Sequence, residues 1–139
     1  MISTAPKSER PVRFASRKQR KGDGSMKKVR ITVLKTMFLE DIASKYGVPG
    51  MGPCPLHKEG EVFYADHRKP EGFCDEAWRA IGQYVFALAH VPGTKTFYYE
   101  GEGEGWNKDP GVAIGSCPDG FRPVVFKIET TDIESTRKN

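Results

Sequence analysis

The sequence predicts a small α+β domain, in which an antiparallel or mixed sheet of about four strands carries one main helix on a face. Two observations carry this prediction. Apolar and polar residues alternate over residues 29–33 and again over 124–128, as in half-buried strands. Between these segments, apolar residues recur at helical spacing over residues 78–88. A length of 139 residues fits a single domain with a tail.

The first half of the body follows from local patterns. Residues 29–33 predict a strand, and residues 39–46 predict a short helix that glycine and proline stop. Residues 47–60 contain four glycines and three prolines, so they predict a loop. Residues 61–65 then predict a short strand.

The second half opens with the main helix, which we expect over residues 75–91 with Asp75 as its N-cap. Aromatic residues at 96–99 predict a short strand, and residues 112–115 predict a brief one. The alternation over residues 124–128 predicts the last strand.

Charge divides the chain into a tail and a body. Residues 1–28 contain nine basic side chains against two acidic ones, although the whole chain carries only +4. We expect residues 1–25 to form a basic, disordered extension, residues 26–131 to form the domain, and residues 132–139 to fray.

The basic extension predicts a partner with negative charge. Its basic run would bind nucleic acid, through counterion release, or an acidic protein surface. A targeting segment, an anionic membrane contact and an expression leader are further interpretations. The basic residues concerned are Arg13, Arg17, Lys18, Arg20 and Lys21.

Composition also bears on the compartment. The longest apolar stretch is far shorter than the roughly 20 residues that span a bilayer, and the N-terminus lacks the apolar segment of a signal peptide. The chain has three cysteines, an odd number that does not suit a fully disulfide-paired scaffold. We therefore expect a reducing, cytoplasmic environment.

Each cysteine lies in a corner rich in glycine or proline, which can aim a side chain into a shared pocket. Cys54 and His57 have C-x-x-H spacing, and Cys74 and Cys117 complete a possible tetrahedral zinc set. Three thiolates could also hold an iron–sulfur cluster with an open or non-cysteine fourth position. In either case metal binding would be coupled to folding, so chelation should destabilise the protein.

Other interpretations of these residues stay open. The cysteines could be ordinary free thiols, or Cys74 could be a nucleophile that one of the chain's three histidines activates. Trp106, Asp119 and Arg122 could line a pocket or bind an anion in such an enzyme, and Asp119 could instead belong to a simple turn.

Four blocks stand out: KVRITVLK at 28–35, GPCPL at 52–56, PEGFC at 70–74 with AW at 77–78, and DGFRPVVFKIE at 119–129. Together they resemble a small, functionally unassigned family found largely in anaerobic bacteria and archaea. The resemblance covers about residues 26–130 and implies that the three cysteine blocks belong to the domain. Relatives often carry a second thiol where this chain has Ser116, which would leave His57 as the substitute ligand.

Overall fold

The computed structural model describes residues 26–95, 101 and 105–136. In this part of the chain, four strands form one antiparallel sheet in the order β2-β1-β4-β3, accompanied by two helices. This architecture confirms the predicted α+β class. The strands are β1 Lys27–Thr36, β2 Val62–Ala65, β3 Val112–Ser116 and β4 Val124–Glu134, and the helices are α1 Glu40–Tyr46 and α2 Asp75–His90.

The core lies between one face of the sheet and α2. Alternate residues of the two central strands point to this face and are fully buried, among them Ile31 and Phe126. Ile81 and Val85 come from one stripe of α2 and are equally buried, as the helical spacing predicted. The body is therefore held together mainly by apolar contact.

Gly115 lets α2 approach the edge strand β3. A Cβ atom at this position would lie 3.3 Å from Cγ2 of Ile81. A larger residue would press directly on the buried stripe of the helix, so glycine sets the close packing of α2 on β3.

The ends of two elements differ from the predictions. Cys74, not Asp75, is the N-cap of α2, because its sulfur accepts the N–H of Ala77. The chain expected to fray from residue 132 is paired with β1 as far as Glu134, which lies opposite Lys27. An ion pair of 2.7 Å between these two side chains accompanies that pairing.

Some predictions fall outside the described residues, namely the basic extension of residues 1–25 and the aromatic strand at 96–99. Neither helix of the described part has the length and apolar composition required to cross a membrane.

Candidate metal centre

The three cysteines lie around a single cavity of about 530 Å³ near the N-terminal end of α2. Each cysteine is half-buried and unpaired in disulfides. They reach the cavity from three separate segments: the loop before β2, the start of α2, and the turn between β3 and β4. The charged residues of the lining are Glu76, Asp119 and Arg122, and the others are Pro55, Leu56 and Pro118.

Backbone geometry gives every cysteine sulfur an N–H donor. Leu56 donates to Cys54 Sγ at 3.4 Å, and Ala77 donates to Cys74 Sγ at 3.5 Å. The N–H of Val124 lies 3.4 Å from Cys117 Sγ. Amide donors of this kind stabilise negative charge on sulfur and tune thiolate-bound metal clusters.

Cys74 also occupies the positive end of the α2 dipole. Its backbone direction is fixed by neighbouring contacts, since Phe73 donates to the carbonyl of Pro70 at 3.2 Å and Lys69 Nζ donates to the carbonyl of Phe73 at 2.9 Å. The position thus combines a hydrogen-bonded turn with the N-terminus of α2.

Cys117 is held by the end of the β3–β4 hairpin. Its N–H donates to the carbonyl of Val124 at 3.1 Å, and the N–H of Val124 returns a bond to the sulfur. The hairpin pairing therefore continues through the cysteine side chain and fixes the direction of the sulfur.

The turn that follows Cys117 is organised by Asp119. One carboxylate oxygen accepts the N–H groups of Phe121 and Arg122 at 2.8 and 3.0 Å, and the other accepts Nε of Arg122 at 3.0 Å. Partial burial works against ionisation, but these donors and the guanidinium charge hold the pKa of Asp119 below its ordinary value.

His57 does not line the cavity. The side chain is buried, and its ring contacts the rings of Phe63, Phe73 and Phe126 at centroid distances of 5.1 to 5.9 Å. Its Nε2 accepts the N–H of Cys74 at 3.3 Å, and Nδ1 is 3.0 Å from Oε1 of Glu61.

These two contacts define the form of the imidazole. Since Nε2 accepts from Cys74, the geometry assigns the ring proton to Nδ1, which donates it to Glu61. Burial opposes ionisation of Glu61, but the His57 bond and the N–H of Lys58 keep the pKa of that carboxyl below its ordinary value. His57 thus connects the Cys54 loop to Cys74 and has no ring nitrogen left for a metal.

The other two histidines lie far from the cysteines. His90 ends α2, and the ring of His67 stacks on it at 5.7 Å. Because α2 has 16 residues, its two ends are about 24 Å apart. Neither histidine can act as the base for Cys74.

Three other residues were expected at the site, and one residue of the lining was not. Trp106 is 70% exposed and is not part of the cavity wall, whereas Asp119 and Arg122 are. Glu76 was not among the residues predicted for the site, although its place two residues after Cys74, in the first turn of a helix, could have drawn attention to it.

Within the described ranges, no group of three or more cysteine, histidine or acidic side chains is arranged to hold one metal ion. The five basic residues proposed to contact a partner lie in the extension, outside those ranges, so that hypothesis stays a prediction.

Comparison of the chain with protein-family models, with curated proteins and with solved structures found no match. The resemblance to a three-cysteine family therefore stays a prediction.

Proposed function

We propose that this domain binds an iron–sulfur cluster through Cys54, Cys74 and Cys117. The observation that carries the proposal is that three sulfur atoms from three distant segments line one cavity. Each of them accepts a backbone N–H, which supports their role as thiolate ligands.

We favour a cluster over the mononuclear zinc that the sequence also allowed. Zn–S bonds near 2.3 Å require the sulfurs of one zinc site to lie within about 4 Å of each other. No described set of side chains is gathered in this way around a single point. A cluster binds each thiolate through a different iron, so it accepts ligands spread around a cavity of about 530 Å³.

His57, which the sequence suggested as the fourth ligand, does not belong to the proposed ligand set. His57 uses both ring nitrogens in hydrogen bonds to Cys74 and Glu61, so we leave it out of the ligand set. Its function in this proposal is to hold two of the cysteine segments at a fixed distance. The three thiolates then leave one coordination position for another group.

Catalysis by a free thiol fits the site less well. A cysteine nucleophile needs a nearby base, and both candidates outside the site lie at the opposite end of α2. The remaining histidine accepts a hydrogen bond from the backbone N–H, not from the thiol, of Cys74.

The experiment is iron and acid-labile sulfide analysis of protein purified without oxygen. We expect roughly four irons and a similar amount of sulfide per chain. Replacing any one of Cys54, Cys74 and Cys117 by serine should remove most of both. Ser116→Ala is the matched control, because Ser116 adjoins Cys117 but does not line the cavity.

Two results would contradict the proposal. Stoichiometric zinc without sulfide would indicate a mononuclear site formed by closer approach of the loops. A folded protein that contains no metal, with wild-type behaviour in all three serine variants, would remove metal binding altogether.

A further inference from the structure

We infer that the site takes a small molecule with a carboxylate group, which Arg122 holds while a second donor of the same molecule binds the coordination position left open by the three cysteines. This inference rests on the proposed cluster and names the class of ligand that the cluster would accept.

Arg122 is prepared to bind an anion. Its Nε donates to Asp119, and that carboxylate is itself fixed by the N–H groups of Phe121 and Arg122. The plane of the guanidinium is therefore set before any ligand arrives. Within the described residues, its two Nη groups have no protein partner, and the residue lines the same cavity as the cysteines.

The geometry of a guanidinium matches a planar carboxylate, which can accept two parallel N–H bonds. The charges of the lining do not favour a doubly charged phosphate. Asp119 already offsets the charge of Arg122, and Glu76 adds a second carboxylate. Arg122 is the one basic residue in the described lining. A singly charged carboxylate suits this balance better than a dianion.

With the cluster bound, the second donor of the ligand would need no redox step. A thiol or hydroxyl group would release its proton to solvent and replace a solvent molecule at the open coordination position, while Arg122 holds the carboxylate. The probe that combines both groups in the smallest molecule is mercaptoacetate. Ethanethiol has the same donor and lacks the carboxylate.

The test follows the electron paramagnetic resonance signal of the reduced cluster while either thiol is added. We expect both to alter the signal, with half-saturation by mercaptoacetate at a concentration about tenfold lower, since a charge-assisted hydrogen bond supplies at least that factor. Arg122→Gln should remove the difference, and Arg122→Lys should restore part of it.

Arg68→Gln is the matched control, since Arg68 is exposed and does not line the cavity. It should keep the tenfold preference. The comparison of the two thiols in the wild type needs no variant, so it decides the question even if the Arg122 variants fail to hold the cluster.

Equal half-saturation by the two thiols in the wild type would overturn the inference and leave the cluster proposal intact. A signal that responds to mercaptoacetate only in Glu76→Gln would also overturn it, because Glu76 would then be the fourth ligand. A protein without iron and sulfide would end both proposals, a result that the elemental analysis distinguishes from the other two.

Discussion

The sheet–helix body and the cysteine end of this domain are built by different forces. In the body, Ile31, Ile81 and Phe126 are fully buried and make apolar contacts. At the cysteine end, the half-buried sulfurs are held by hydrogen bonds to backbone amides and by the Asp119–Arg122 pair. Apolar burial secures the fold, whereas directed polar contacts orient the cysteine side chains.

Two residues connect these regions. The ring of Phe126 lies in the body and contacts both His57 and Phe73, with centroids 5.9 and 5.3 Å away. His57 in turn accepts a hydrogen bond from the backbone N–H of Cys74. Changes at Phe126 and His57 therefore test how far the two regions depend on each other.

Phe126→Ala should have the largest effect on stability, because it removes a fully buried ring and leaves a cavity in the body. We expect a loss of about 3–5 kcal/mol in the free energy of unfolding, measured by urea denaturation. Phe86→Ala is the control, since Phe86 is a phenylalanine of α2 that is 52% exposed. A similar loss in both variants would contradict the assigned core.

His57→Phe should have the next largest effect. Phenylalanine suits the aromatic surroundings but cannot accept from Cys74 or donate to Glu61, so we expect a loss of about 1–3 kcal/mol on denaturation. If His57 is a linker and not a ligand, the variant retains iron and sulfide. Loss of the metal from a variant that remains folded would make His57 a ligand.

Asp119→Asn should destabilise the domain by about 1 kcal/mol at neutral pH, because it weakens the bonds that hold the turn after Cys117. The pKa of Asp119 is lowered in the folded state, so its contribution is complete above the unfolded value and is lost as the pH falls through the folded one. The difference in the free energy of unfolding between wild type and variant should therefore become smaller below about pH 4.

Urea denaturation of both proteins from pH 7 to pH 3 measures this difference. The two proteins differ only in the carboxylate or amide at position 119. The other carboxyl groups titrate in both proteins, so their effect cancels in the difference. A difference that stays constant down to pH 3, or that widens in acid, would contradict the assigned hydrogen bonds.

Glu134→Gln should have the smallest effect. The ion pair with Lys27 joins the ends of β4 and β1, and Glu134 is 60% exposed there. We expect a loss of about 0.2–1 kcal/mol that disappears in high salt. A loss that persists in molar salt would show that Glu134 contributes by something other than charge.

The body was predictable from the sequence because its signals are local. Alternation gave the central strands, and helical spacing gave the buried stripe of α2, including Ile81 and Val85. The extent of β4 was not predictable, since residues 132–134 have no strong alternation and pair only because β1 begins opposite them at Lys27.

The site was predictable only in part. The composition of the turns pointed to Cys54, Cys74 and Cys117 as a set, and they do share a cavity. C-x-x-H spacing is equally suited to a ligand and to a hydrogen-bonding linker, and only the positions of Glu61 and Cys74 show what the ring nitrogens contact. Cysteine is also an uncommon N-cap, which explains why Asp75 was expected in its place.

An anomalous difference map, recorded at the iron absorption edge from crystals grown without oxygen, would locate the cluster directly. We expect one compact group of iron peaks in the cavity, bound by the sulfurs of Cys54, Cys74 and Cys117, with His57 outside the ligand sphere. An empty cavity in folded, anaerobically prepared protein, or iron bound elsewhere on the chain, would contradict this expectation.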